Sequence, residues 1–353
     1  MRYDVVVVGG GAMGAATAYS VAARGARVAM VEQFGAGHDR GSSHGASRIF
    51  RLAYRDASYV PMAQRALTLW RALSDECGEE LLKTTGGIDH GPGEVLDEVA
   101  AALTAHGAAY ELLPPAEARD RWPGMRFDGP VLRQPDAGRL DADATVVALH
   151  RRAADLGADV FTGERVTQVH LRDVGVEVVT DDRTLVGDVV VLAAGAWLPG
   201  LAQKLELTAQ LPPFVVTQEQ PAYFTAPGAE EWPVFVHHDE ERPHYGLFTP
   251  GVGVKVGEHG TGVVVDPDER PPADDGRLRR LTSYVEHWLP GAQPAPTRVD
   301  TCLYTTTPDE SFVLQRFGRV VVCSACSGHG FKFVPAVGER TAALALATDL
   351  PRH

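Results

Sequence analysis

Residues 4–8 read Asp-Val-Val-Val-Val, a short β-branched run that ends in Gly9-Gly10-Gly11 and passes into an Ala-rich stretch of helical character up to Arg24-Gly25. A short apolar run bounded by glycines predicts a buried strand, and the following stretch predicts a helix. A second strand, ARVAMVE, ends in Glu32. From Tyr59 to about Glu80 the apolar positions Ala63, Leu67, Trp70 and Leu73 recur near one helical face, and Thr84-Thr85-Gly86-Gly87 breaks the pattern before a strand-like stretch through Ile88. Asp143 is placed to cap a helix running to Leu156 and stopping at Gly157, after which 158–170, including Val166, predict a strand. Asp188–Leu192 is a further buried run, entering Ala193-Ala194-Gly195-Ala196-Trp197. Alternating stretches such as QPAYF and VGVKVG predict antiparallel strands, VVVCSAC a buried strand entering a turn, and AVGERTAALALA a closing helix.

Strand, GxGxxG turn and helix occur in the order a dinucleotide site requires. Gly9 permits the tight turn, Gly11 lets the backbone approach a pyrophosphate, and Gly14 lets helix pack on strand. Ala12 and Met13 complete a helix N-terminus whose N–H groups point at the anion. Glu32 can accept hydrogen bonds from an adenosine ribose and repels a 2′-phosphate, which disfavours NADP. The competing reading is a glycine-rich turn with no ligand. The small residues around Ala194 and Gly195 make another place where backbone can approach a nucleotide. Nucleotide-binding pattern thus recurs at separated places, which predicts an α/β, two-domain chain. Residues 1–84, 142–212 and 300–353 form a discontinuous Rossmann-like domain, and 85–141 and 213–299 an inserted, largely antiparallel-sheet substrate domain.

Composition narrows the partners. The 353 residues carry 33 Lys plus Arg against 46 Asp plus Glu, a net charge of −13, which argues against nucleic acid or an anionic membrane surface. The N-terminal apolar run is broken by glycines and begins a fold, so a cytoplasmic, soluble protein is expected. Cys77, Cys302, Cys323 and Cys326 are too few and too uneven for a disulfide framework. Cys323 and Cys326 form a CxxC without a second pair, and no metal site is expected.

The C-terminal region concentrates reactive side chains: Cys302 opens CLYTTTPDESF, which holds Tyr304, and SGHGFKF holds His329 and Lys332. A thiol, a phenol, an imidazole and an ammonium so close together suggest chemistry on a bound cofactor. Upstream, His44, Arg48, Arg51 and Arg55 have spacings that also fit one solvated helix face. Lys255 stands between Gly253 and Gly257 on one side of a strand, where glycine neighbours leave room for a flat ring. A lysine on a wet sheet face is the alternative.

Taken together, the nucleotide segments, GSSHGASRIFRLAY at 41–54, YGLFTPGVGVKVGEH at 245–259 and the two C-terminal motifs resemble the family of monomeric sarcosine oxidase and N-methyltryptophan oxidase, within the D-amino-acid-oxidase-like FAD amine oxidases. The resemblance runs over nearly the whole chain. It implies FAD, attached by a thioether from the flavin 8α carbon to Cys302, which would otherwise read as a buried structural cysteine. It places Gly9, Gly11, Ala12, Met13, Gly14, Glu32, Ser42, Ser43, Arg48, Val166, Ala194, Gly195, Trp197, Gly328, Gly330 and Lys332 at the cofactor. Arg51 and Lys332 match the cations that hold a substrate carboxylate, Arg51 as a planar fork and Lys332 as a point charge. Lys255 matches the lysine that activates dioxygen. Tyr245 and Tyr304 line the substrate pocket, His329 orients the amine, and His259 falls at a matching place, where an exposed histidine is an equal reading.

The implied activity is oxidation of a small secondary or N-methylated amino acid, with dioxygen reduced to hydrogen peroxide, by a monomer. Cyclic imino acids such as proline or pipecolate and bulkier N-methyl amino acids would use the same machinery. A flavin dehydrogenase serving an electron carrier and a non-catalytic nucleotide-binding protein are alternatives of other classes. The chain also departs from the family pattern. One residue is missing between Tyr245 and Lys255, Val236, His237 and His238 replace a more apolar stretch, and the usual tail beyond His353 is lacking. These changes bear on pocket size, not on the cofactor.

Overall fold

The computed structural model describes residues 1–239 and 241–347, so the chain end at His353 lies outside it. Contacts divide the chain into two compact units, the first made of Met1–Gly45, Ala142–Thr217 and the segment from Leu303, the second of Ala46–Asp141 and Gln218–Cys302.

In the first unit the strand Arg2–Val8 lies at the centre of an eight-stranded sheet, parallel to Val28–Glu32 on one side and Thr184–Leu192 on the other. Such a strand is covered on both faces, which is why it is a nearly unbroken valine run. Asp159–Thr162 continues the sheet in parallel beyond Val28–Glu32. The nine-residue strand Thr184–Leu192 is shared: its first half pairs antiparallel with Gly175–Thr180, and its end runs parallel to Val320–Ser324. The helices Ala12–Ala22, Ala142–Asp155 and Val334–Leu346 pack together, and Gly338 is needed because a Cβ there would lie 2.6 Å from the Ala16 backbone.

The second unit is built on another eight-stranded sheet, ordered Pro296–Val299, Ala222–Phe224, Gly253–Glu258, His244–Thr249, Val234–His237, Gly87–His90, Val131–Gln134 and Glu111–Leu113. Its pairings are antiparallel except that of Val234–His237 with Gly87–His90. The helix Asp275–Trp288, capped by Asp274 accepting from Arg277 N–H, contributes Leu281, Tyr284 and Val285 to a core shared with Phe224, Phe235 and Val256.

Several local readings shift. Residues 46–84 group with the second unit, because Arg48–Phe50 and Leu82–Thr84 flank Gly138–Leu140 in a small antiparallel sheet. The basic stretch from His44 to Arg55 is therefore no helix face. Asp143 lies inside the first turn of its helix, and its Oδ1 accepts instead from Gly45 N–H at 2.6 Å. The helix from Tyr59 ends at Cys77, where Gly78 turns left-handed at φ 66°, so a glycine and not the later Thr-Gly cluster stops it. The strand expected over 158–170 is interrupted after Thr162 and resumes at Val166.

Candidate active site

In the first unit the glycine turn forms as its spacing predicts. Gly9 has φ 102°, and a Cβ there would meet the Ala193 carbonyl oxygen at 2.4 Å; a Cβ on Gly14 would meet the Gly9 carbonyl oxygen at 1.8 Å. These two glycines are demanded by the protein's own packing. At Gly11 a Cβ would crowd only the Ser43 side chain, with Oγ at 3.1 Å. Gly11 caps the helix Ala12–Ala22 without a side-chain hydrogen bond, and no acidic residue lies in the first turn, while Ser43 Oγ accepts from Ala12 N–H at 3.0 Å. A helix N-terminus with no carboxylate in its first turn fits a pyrophosphate.

Glu32 is buried, and its carboxylate does more than the sequence implied. Oε2 accepts from Gly10 N–H at 2.6 Å and Oε1 from Phe34 N–H at 2.9 Å, so it ties the turn to the end of its own strand. His38 Nε2 stands 3.5 Å from Oε1, and burial lowers the His38 pKa. His150, reaching from the helix Ala142–Asp155, places Nε2 2.6 Å from the Gly10 carbonyl oxygen. Nothing in the spacing signalled His150, since 140 residues separate the partners. The carboxylate at the strand end, the glycine turn and the helix N-terminus together fit FAD.

The other predicted cofactor residues of this unit are distributed around the same fold. Ser42 Oγ donates to the Leu303 carbonyl at 2.5 Å. Ala194 and Gly195, the latter with φ 52°, begin the turn after Thr184–Leu192, and the Trp197 ring is tilted against Phe34 at 5.5 Å between ring centroids. Val166 opens its strand at an irregularity in the pairing. Gly328 has φ 74°, and Gly330 is required by packing, because a Cβ would sit 1.7 Å from the Ala325 carbonyl oxygen. Tyr304 is buried on the strand Cys302–Thr306. Lys332 is buried and donates from Nζ to the His329 carbonyl at 2.8 Å, and the His329 ring stacks on Phe312 at 4.7 Å with Nε2 3.1 Å from the Glu310 carbonyl oxygen. The CxxC pair is structural in its contacts. Cys326 Sγ accepts from Thr305 N–H and Cys323 Sγ from Thr341 Oγ1, and burial pushes the Cys323 thiol up to about 11.

The second unit carries Arg48, Arg51, Tyr245, Lys255, His259 and Cys302. Lys255 is 5% exposed in a strand buried along almost its whole length, which rules out a wet-face lysine. Burial, followed by the Arg48 guanidinium, lowers its pKa to about 7, opposed by Cys302 and Asp300. Its Nζ lies 5.7 Å from the Tyr223 ring centre. Burial also raises the Tyr245 phenol far above its usual range, Cys302 adding to the effect and Arg48 opposing it. Arg48, Tyr245, Lys255 and Cys302 therefore form one electrostatic neighbourhood. The flanking glycines are required by close packing: a Cβ on Gly257 would lie 2.6 Å from the Tyr245 ring, and one on Gly253 would lie 2.4 Å from the Phe224 carbonyl oxygen. His259 is partly exposed, its N–H donating to Pro243.

Arg51 is fixed by groups the sequence did not flag. Nη1 donates to the Ala53 carbonyl and to Asp89 Oδ1, the latter at 3.1 Å, and the guanidinium carbon lies 5.0 Å from the Tyr54 ring centre. Among the described residues no helix is long and apolar enough to cross a membrane.

Residues 4–344 match the family model described as FAD dependent oxidoreductase. Monomeric sarcosine oxidase of Streptomyces avermitilis is 34% identical, the alignment covering 98% of this chain and 94% of that protein. N-methyl-L-tryptophan oxidase of Yersinia pestis is 32% identical over 98% of this chain and 95% of its own length. Among solved structures, NikD, an unusual amino acid oxidase essential for nikkomycin biosynthesis, superposes with a TM-score of 0.88 at 30% identity, over 100% of this chain and 95% of the other.

Proposed function

This chain belongs to the FAD-dependent oxidoreductase family and is an amine-oxidising flavoenzyme, and from that premise we propose that it is an oxidase of small secondary or N-methylated amino acids. The observation that carries the reading is Lys255, a lysine 5% exposed in a buried strand, whose charged form is disfavoured by burial and by Arg48 and favoured by Cys302. An ammonium there stabilises negative charge developing on dioxygen, which favours an oxidase over a dehydrogenase.

Arg51 binds the substrate carboxylate in this proposal, with Lys332 as the second cation. Its Nη1 is tethered to Ala53 and Asp89, and Nε and Nη2 remain for a bidentate grip. Tyr245 and Tyr304 shape the pocket wall, and His329 holds the amine in its neutral form. Bound FAD would be joined through the Cys302 sulfur and would supply the two-electron acceptor. The carbon next to nitrogen loses a hydride equivalent and nitrogen a proton, giving an imine that water splits into amine and aldehyde. Dioxygen takes up the two electrons and two protons and leaves as hydrogen peroxide. The enzyme works in this reading as a cytoplasmic monomer, without nucleic-acid or membrane partners.

The test is anaerobic addition of sarcosine, N-methyltryptophan, proline and pipecolate, one at a time, following flavin absorbance before and after admitting air. Bleaching by one compound, with recovery and peroxide in air, supports the oxidase and names its substrate class. Bleaching that air does not reverse would establish a dehydrogenase. No bleaching by any of them refutes the substrate assignment.

A further inference from the structure

Asp89, on the strand Gly87–His90, is 1% exposed and carries three polar contacts. Its Oδ1 accepts from Arg51 Nη1 at 3.1 Å and pairs with His238 Nε2 at 2.8 Å, and its Oδ2 accepts from Gln134 Nε2 at 2.8 Å. The same Gln134 amide turns its Oε1 toward the chain that follows Arg51, accepting from Leu52 N–H at 2.9 Å and Ala53 N–H at 2.8 Å. Backbone and guanidinium are thus held by one connected, buried set of hydrogen bonds. Among the described residues Nη1 makes all of the Arg51 hydrogen bonds, and Nε and Nη2 make none.

We infer that Asp89, supported by Gln134 and His238, is a positioning residue for Arg51, holding its Nη1 side so that the Nε–Nη2 edge is presented ready-oriented to the substrate carboxylate. The inference rests on the reading of Arg51 as the carboxylate-binding residue. Physically it runs against charge alone. A carboxylate 3.1 Å from Arg51 cancels much of the field that would attract an anion, so Asp89 can favour substrate only by fixing geometry. Arginine side chains lose considerable rotamer freedom when ordered, and a guanidinium already fixed pays that cost before the ligand arrives. His238 supplies part of this arrangement from the segment that follows the strand Val234–His237. Asp89 and His238 meet because Gly87–His90 and Val234–His237 are neighbouring parallel strands, with Asp89 opposite Val236 and His238 N–H bonded to the His90 carbonyl.

The experiment titrates FAD-loaded enzyme with methoxyacetate, the oxygen counterpart of sarcosine, and with its neutral relative 2-methoxyacetamide, reading perturbation of the visible flavin spectrum. Asp89→Asn should raise the Kd for methoxyacetate about tenfold and leave that for the amide unchanged, because the new side-chain amide opposes the Gln134 amide and loosens Arg51. The double variant Asp89→Asn with Gln134→Glu moves the charge one residue along the network and restores its donor–acceptor matching. It should return the methoxyacetate Kd to within about threefold of wild type. A lower Kd in Asp89→Asn would show Asp89 acting only by repulsion and overturn the inference. Equal weakening of both ligands, or a double variant as weak as the single one, overturns it as well. Arg51→Met separates the two levels: if it leaves methoxyacetate binding intact, the reading of Arg51 falls. If Arg51→Met weakens binding and Asp89→Asn does not, only the positioning role falls.

Discussion

Acid should destabilise the second unit through a stack of histidines that the fold keeps neutral. His90 and His237 lie face to face with ring centroids 4.1 Å apart, His237 meets Trp288 edge-on at 4.4 Å, and His244 stacks on Tyr284 at 3.8 Å. His237 is 6% exposed, and burial, followed by His244, lowers its pKa from 6.5 to about 4, with His238 acting the same way and Asp239 and Asp128 opposing. His90 is held well below its ordinary value by burial and then by His237, and burial lowers His244 too. A histidine whose native pKa is depressed binds fewer protons folded than unfolded between the two pKa values. Stability is therefore retained above pH 6.5 and lost as pH falls toward 4. For His237 alone the loss between pH 8 and pH 5 is about 2 kcal/mol, and His90 and His244 add to it in the same direction.

His237→Phe keeps a ring against His90 and Trp288 and removes the titrating group, together with the contact between Nδ1 and the Tyr284 hydroxyl at 3.3 Å. Urea unfolding followed by tryptophan fluorescence, at pH 8 and at pH 5, gives the acid-induced loss for each protein. Every other titrating residue is shared, so the difference between the two losses isolates His237 and its coupling to His90 and His244. The wild type should lose about 2 kcal/mol more than the variant, even if the variant starts less stable at pH 8. Equal losses, within about 0.5 kcal/mol, would refute the claim that the stack excludes protons.

Other consequences bear on the reaction and the cofactor. Lys255→Met should leave anaerobic flavin reduction nearly intact and slow reoxidation by air about a hundredfold or more, measured by stopped flow. With a Lys255 pKa near 7, wild-type reoxidation should also slow as pH rises through that value, and a flat profile would refute control by its protonation. Cys302→Ser should release flavin into the supernatant on acid precipitation, whereas wild-type flavin stays with the protein. Gly14→Ala forces a Cβ to within 1.8 Å of the Gly9 carbonyl oxygen, so it should cost about 3 kcal/mol or more and reduce FAD retention, seen as a lower Tm and a lower flavin-to-protein ratio.

Features carried by short-range pattern were legible in the chain itself. The valine run, the GxGxxG turn and the acid at Glu32 express local requirements, buried strand, positive φ and close helix–strand approach, which a sequence states directly through residue type and spacing. The inserted, mainly antiparallel sheet was legible from alternation, and the family from motifs in order along almost the whole length. Tertiary structure decided what depends on partners distant in sequence. His150 reaches Gly10 across 140 residues, Asp89 meets Arg51, Gln134 and His238 from three other segments, and the Tyr245 ring lies where a Cβ on Gly257 would fall. That Arg48 lies on a strand, and the basic stretch is not the helix face its spacing also fits, was likewise settled by Gly138–Leu140, which pairs with Arg48–Phe50. Local spacing states which backbone shapes are permitted; burial, charge pairing and pKa follow from which chains the fold brings within a few ångströms, and no periodicity encodes that.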